Sequence, residues 1–319
     1  MRFRSNVLTL QVLAVSVVIA TTAAAAEQRN DIQDREFSVM TPDHVSIHVR
    51  EKARKGPPKV PVLLVHGTWS DSRVWDFPDR SVMDYLASRG HDTYALDLRG
   101  MGSSDRPADF DTIGLGDRLL DVATVATYIV ATTGHKPVVA GWSQGGVLVG
   151  LLAAYAPDLT AGVGLFSVPG SDFYVPPAFA DLISAVSEFD RYLPDRDVIY
   201  GIGFGIDPIA GKPTMSADAF ETFYQLCQPD SVQLVTGMAN AELYRQFVTP
   251  AWSRITVPAL VVDGAQDLIV GEKRAQDLFD RLGSRRKQLV VYPRNAHAWF
   301  LEDNSEAVLR AFGRFLAQF

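Results

Sequence analysis

Along this 319-residue chain the spacing of apolar positions changes rhythm at short intervals, and the rhythm predicts a fold class. Residues 37–40 and 45–49 read as a first pair of strands, with Thr41-Pro42-Asp43 as the turn between them. Residues 52–59 are polar and carry Gly56-Pro57-Pro58, the composition of a loop. Residues 60–65 form an unbroken apolar run, as a strand covered on both faces requires. Further strands are expected at 93–98, 137–141, 162–167, 257–263 and 288–292, and helices at 71–89, 115–133, 144–155, 272–282 and 305–318. Gly90, Gly134 and Pro157 stop three of these helices. Strand and helix in regular alternation predict parallel pairing with helices on both faces of one sheet.

Residues 168–250 break that rhythm. The stretch opens on Pro169, Pro176 and Pro177 and holds several helical pieces. It reads as an insertion over the sheet edge where the strands finish, the edge at which open α/β sheets place ligands. The expected organisation is a core of residues 27–167 and 251–319 with a cap of residues 168–250.

Residues 1–26 read as a separate leader. Arg2 and Arg4 are followed by a largely apolar, uncharged run at 7–20 and then by Thr21-Thr22-Ala23-Ala24-Ala25-Ala26. This is the layout of a secretory signal peptide cut after Ala24 or Ala26, and it predicts a secreted or periplasmic protein. An uncleaved anchor is the rival, and its apolar run falls short of the ~20 residues a span needs. A lipoprotein anchor would need a cysteine just after the leader, and the single cysteine is Cys227. Cys227 also has no partner for an internal disulfide and reads as a small buried apolar residue. The formal charge of −7 becomes −9 once Arg2 and Arg4 are lost with the leader, which argues against nucleic acid and anionic membranes as partners.

Chemistry concentrates at Gly141-Trp142-Ser143-Gln144-Gly145, a G-x-S-x-G pattern with an apolar strand before it and a helix after it. The glycines make room for a tight strand-to-helix turn that holds the serine in a strained conformation. A serine hydroxyl needs a base, and in this motif's fold the order along the chain is serine, acid, histidine. Of six histidines only His297 follows Ser143. Two aspartates, Asp263 and Asp267, end the strand before it. Asp267 is preferred as the orienting acid because it lies in the loop that can reach the histidine. The N–H groups of Thr68 and Gln144 are the expected oxyanion donors, with His66 orienting the loop that carries Thr68. Asp97-Leu98-Arg99-Gly100-Met101-Gly102-Ser103-Ser104 lacks the lysine and spacing of a phosphate loop and reads as a structural turn.

In its His66-Gly67 pair, its Asp97-x-Arg99-Gly100-x-Gly102-x-Ser104 turn, the Ser143 elbow, Asp267 and His297, the chain resembles the α/β-hydrolase superfamily from about residue 37 to 319. The branch it resembles has a helical cap between the sixth and seventh strands. The resemblance implies an α/β-hydrolase fold, with a mostly parallel eight-stranded sheet, and a Ser143-His297-Asp267 triad.

Epoxide hydrolases and haloalkane dehalogenases of that superfamily carry aspartate at the elbow, whereas Ser143 points to acyl transfer through an acyl-serine intermediate. Residues 168–250 hold 11 acids, four bases and 12 of the chain's 32 aromatics, which fits a pocket for neutral, fairly hydrophobic esters or lactones. It also fits a solvated acidic surface over a small core. Trp69, Trp142, Phe173 and Tyr174 are the candidate substrate contacts. A carbon–carbon bond hydrolase of ring-cleavage products and a cofactor-free perhydrolase are the alternative activities. A binding protein on a hydrolase scaffold would require a missing triad member. No cofactor is expected, and the scattered histidines argue against a metal. The expected partner is a small-molecule ester, without stable membrane association.

Overall fold

The computed structural model describes residues 31–172 and 191–319. The leader and the candidates Phe173 and Tyr174 lie outside those residues. An eight-stranded sheet runs through the described chain. Its strands are β1 (Ile32–Met40), β2 (Ser46–Arg54), β3 (Val62–Val65), β4 (Thr93–Leu96), β5 (Val138–Trp142), β6 (Gly162–Phe166), β11 (Ala259–Gly264) and β12 (Lys287–Tyr292). Their order across the sheet is β1-β2-β4-β3-β5-β6-β11-β12. Only β1 with β2 and β2 with β4 pair antiparallel; the remaining pairs are parallel.

Alternate residues of the central strands enter two apolar layers. Leu63, Val65, Val139, Leu165 and Val261 point to one face, and Val62, Leu64, Val138, Ala140 and Val262 to the other. Helices α2 (Leu115–Thr133) and α3 (Gln144–Tyr155) serve the first layer, with the short α1 (Val82–Ala87) on the second. Helix α2 ends at Gly134, whose φ of 72° is the left-handed conformation in which a glycine stops a helix cheaply.

Between the neighbouring strands β6 and β11 the chain inserts three longer helices, α4 (Arg196–Gly203), α5 (Ala217–Leu226) and α6 (Val232–Ala239). It also inserts two small ladders, β7 (Arg191–Tyr192) with β10 (Asp230–Ser231), and β8 (Ile206–Asp207) with β9 (Lys212–Pro213). Phe204, Phe220 and Phe223 stack edge-on within the insertion and belong to the same apolar layer as Trp75, Trp299 and Phe300 of the core. The chain closes with α7 (Gly271–Arg281) and α8 (Ser305–Leu316). No helix of the described residues is long and apolar enough to cross a membrane.

Two expectations need correction. The helix expected at 71–89 is a 3-10 turn, Ser72–Asp76, followed by α1. Phe77 is extended, as a residue before a proline prefers, and Ser81 restarts the helix by accepting a hydrogen bond from the Asp84 N–H. The loop expected from residue 52 is still strand β2, because the buried Lys52 Nζ reaches Asp76 at 2.6 Å and Asp84 at 2.7 Å.

Candidate active site

Strand β5 runs into α3 through Ser143, which has φ 53° and ψ −119°. A non-glycine residue at positive φ is strained and persists only where its surroundings impose it. They do so by crowding. A Cβ on Gly141 would lie 2.2 Å from the Gly145 carbonyl oxygen, and one on Gly145 would lie 2.3 Å from that of Val65. Gln144 begins α3, so its N–H belongs to the first turn, which has no intrahelical acceptor.

The loop after β3 is set by His66, which is fully buried. The Leu98 N–H donates to His66 Nε2 at 3.0 Å, so the proton is on Nδ1, which donates to the Gly67 carbonyl at 2.8 Å. Burial pushes the imidazole's pKa down, which keeps it neutral in this structural role. Beyond it, the Gln144 Nε2 donates to Thr68 Oγ1 at 3.3 Å, so the two expected oxyanion residues meet through their side chains. The 97–104 turn is tied to the same loop: Asp97 accepts from the N–H of Ser72 at 2.7 Å and of Ser103 at 2.9 Å. Burial alone would raise the Asp97 pKa, but these bonds and His48 hold it at about 2.

On the other side of the elbow, His297 follows β12. Its Nδ1 donates to Asp267 Oδ2 at 2.7 Å, while Asp267 Oδ1 accepts from the N–H groups of Ile269 at 2.7 Å and Val270 at 3.0 Å. The structure therefore brings Asp267, and not Asp263, to the histidine. Burial opposes the charge on Asp267, but His297, Asp263 and the Val270 N–H outweigh it and hold the carboxyl below the usual range. Asp263 is 1% exposed and accepts from the Gly264 N–H at 2.8 Å. Burial and the charge on Asp267 push the Asp263 carboxyl well above the usual range.

The His297 backbone is pinned to the core. Its carbonyl accepts from Trp142 Nε1 at 2.8 Å and from Ser167 Oγ at 2.7 Å. Just before it, the Ala296 N–H donates to both oxygens of the buried Glu302 at 2.9 Å, and Asn295 Nδ2 donates to Glu302 Oε2 at 3.1 Å. Burial pushes the Glu302 carboxyl up to about 8 despite those donors.

Trp142, a candidate substrate contact, is 5% exposed; its indole lies against Gly67 and Phe300, and its Nε1 donates to the His297 carbonyl. Trp69, with φ 60°, stays partly exposed beside Thr68. Cys227 is partly exposed by surface area, yet its surroundings raise the thiol to about 12, mainly by burial.

Sequence reasoning missed Glu302, Arg118 and Asp230. Arg118 and Asp230 are fully buried and pair through two hydrogen bonds, with Nη2 to Oδ1 at 2.6 Å and Nη1 to Oδ2 at 3.0 Å. Arg118 also donates to Gln144 Oε1. A signal for Arg118 was present, since it shares the buried face of α2 with Val122, Val125 and Ile129. A charge on an apolar stripe marks a partner elsewhere. Among the described residues no group of three His, Cys, Asp or Glu could hold a metal ion.

The fold and elbow define a class, and sequence comparison supplies it: the model of the "Alpha/beta hydrolase family" matches residues 62–311, so the chain belongs to that family. Esterases and lipases are among its relatives. A triacylglycerol lipase of Pseudarthrobacter phenanthrenivorans is 33% identical over 136 residues, 41% of this chain and 39% of the lipase. The chain thus spans well under half the length of that lipase. The pimeloyl-[acyl-carrier protein] methyl ester esterase of Aliivibrio salmonicida is 24% identical over 77% of this chain and 88% of its own. Among solved structures, an esterase from Thermogutta terrifontis superposes with a TM-score of 0.68 at 20% identity, covering 89% of this chain and 98% of its own. The enol-lactonase of Burkholderia xenovorans LB400 does so with a TM-score of 0.68 at 16% identity, covering 88% of this chain and 100% of its own. At these identities the structures speak for the fold alone.

Proposed function

We propose that this protein hydrolyses neutral, fairly hydrophobic carboxylic esters or lactones through an acyl-Ser143 intermediate. The observation that carries the reading is the Asp267–His297 hydrogen bond beside a serine held at positive φ. Ser143 Oγ attacks the carbonyl carbon and His297 takes its proton. Asp267 keeps the imidazole in the right tautomer and stabilises the imidazolium. The N–H groups of Thr68 and Gln144 stabilise the developing oxyanion. His297 then protonates the departing alkoxide, and water, activated by the same imidazole, releases the acid.

The names of two relatives in sequence, a triacylglycerol lipase and a methyl ester esterase, support esters as the substrate class. In this reading residues 168–250 are a cap that shapes the acyl site. The leader carries the chain out of the cytoplasm, and exported protein should begin at or near Ala25 or Glu27, which N-terminal sequencing checks.

Ser143→Ala should lower kcat on the order of 10⁴-fold or more, since the triad acts as a unit. A serine-directed phosphonate should label Ser143 alone. Activity surviving in Ser143→Ala, or labelling at another serine, would end the reading. A panel of chromogenic esters of graded acyl length, with lactones and amides beside them, sets the substrate class.

A further inference from the structure

The insertion touches the oxyanion side of the site through one short segment. The Gln228 N–H donates to the Trp69 carbonyl at 2.8 Å, Gln228 Nε2 donates to Asp71 Oδ2 at 2.6 Å, and the Gly102 N–H donates to Gln228 Oε1 at 3.1 Å. Two residues on, Asp230 accepts both Nη groups of Arg118, and Arg118 donates to the side-chain oxygen of Gln144. Gln144 in turn donates to Thr68 Oγ1. An unbroken path of hydrogen bonds thus runs from the insertion through α2 to both residues assigned to the oxyanion hole.

This path is a poor way to stabilise a fold. Arg118, Asp230 and Gln144 are all fully buried, and Arg118 Nε has no hydrogen-bond partner among the described residues. Desolvating such a pair consumes most of its attraction, and apolar residues of similar volume often hold a core as well or better. What the pair supplies is direction. The guanidinium is a rigid fork, and the bidentate Asp230 fixes its plane and hence where it meets Gln144. Gln144 is the first residue of α3, so its side chain and its N–H move with the same short turn.

We infer that Asp230 and Arg118 are positioning residues for acyl transfer, a relay through which the seated cap aligns Gln144 and Thr68 as oxyanion donors. The relay rests on the reading of those two N–H groups as the oxyanion hole. One such donor is worth ~10²–10³ in kcat, and a displacement of about 1 Å costs ~10²-fold, so a small tilt is enough to be seen.

The experiment compares the full-length wild-type protein, Asp230→Asn, and the double variant Arg118→Met with Asp230→Leu. The double variant removes both charges and leaves none unpaired. For each, kcat and KM are measured on p-nitrophenyl acetate. Inhibition is measured with a short alkyl trifluoromethyl ketone, whose hemiketal oxyanion occupies the hole, and melting temperature reports folding. Both variants should lose ~10–100-fold in kcat with KM changed less than about threefold, and the ketone should weaken by the same factor. The double variant should melt near the wild type and remain slow. A double variant that is folded and fully active would reduce the pair to structural support and overturn the relay.

If neither variant folds, Thr68→Val decides. It keeps the backbone N–H, removes the acceptor of the Gln144 side chain at a partly exposed site, and should lower kcat ~3–10-fold. An unchanged kcat would likewise overturn the relay. Ser143→Ala runs beside these variants: activity there means that the acyl-serine reading has failed, whereas an inactive Ser143→Ala beside a fully active double variant means that only the relay has.

Discussion

His297 is gripped from within the core, whereas the loop carrying Thr68 and Trp69 is held by the core at His66 and also from the insertion. On the histidine side the holders are Trp142, Ser167, Asp267 and Glu302, all in the core strands, helices and loops. Among the described residues the insertion reaches this side at neighbours: the Ala298 N–H donates to the Gly203 carbonyl at 3.2 Å, the Asp303 N–H to the Thr214 carbonyl at 2.9 Å, and Arg294 to Asp207. On the oxyanion side the holders are His66 of the core and, from the insertion, Gln228 and, through Arg118, Asp230. The chemistry differs too. The histidine side is rich in carboxyls whose protonation is perturbed, so it answers to pH. The oxyanion side hangs on a buried cation and its carboxylate, so it answers to substitutions in the insertion. A site divided in this way can change its substrate preference through one wall while the proton-transfer machinery stays with the other.

The largest expected effect separates the two aspartates of the histidine side. Asp267→Asn should cost ~10⁴-fold in kcat/KM, since His297 would be left in the wrong tautomer. Asp263→Asn should cost less than about tenfold, because Asp267 and not Asp263 holds the imidazole. Ester hydrolysis by the two variants checks this. Comparable losses in both would mean that Asp263 shares in the chemistry and that the division of roles is wrong.

Less drastic is the pH response. Glu302 ionises near its usual 4.5 in the unfolded chain and near about 8 in the fold. Between those values the folded state holds a proton that the unfolded state has released, so stability falls as pH rises and the loss is complete above about 8. Glu302→Gln removes that slope. Melting curves between about pH 5 and about pH 9 should show wild type losing ground to the variant toward the alkaline end. Parallel curves would show that Glu302 does not set the histidine side's pH response.

The smallest effect is expected at Asp207→Asn. Arg294 is partly exposed and can turn to water once its carboxylate is gone. Ester kcat should change less than about threefold, because Asp207 holds Arg294 and, among the described residues, makes no hydrogen bond to His297. A tenfold loss would mean that the insertion grips the histidine side as firmly as the oxyanion side.

Much of this architecture was legible because its signals are local. Helices 115–133 and 144–155 begin and end where the sequence places them, since Gly134, the elbow and Pro157 act within a turn of the residues they stop. The serine turn is legible because its G-x-S-x-G pattern is local, although the backbone that Gly145 crowds belongs to the distant Val65 and His66. What escaped depends on distant partners. Lys52 prolongs β2 because Asp76 and Asp84 neutralise it, and Arg118 finds its carboxylate 112 residues away. The inward turn of the Trp142 indole likewise depends on a distant partner, the 295–300 loop that β5 meets.

The positive φ of Ser143 has a bearing on how such a protein can adapt to heat. The elbow is held at φ 53° against a preference that glycine does not share. A change to glycine should relieve the backbone and raise the melting point, and on the acyl-serine reading it should abolish turnover. Heat-adapted descendants of this chain would have to find their stability elsewhere, in the loops and the insertion, and leave this one strained residue alone.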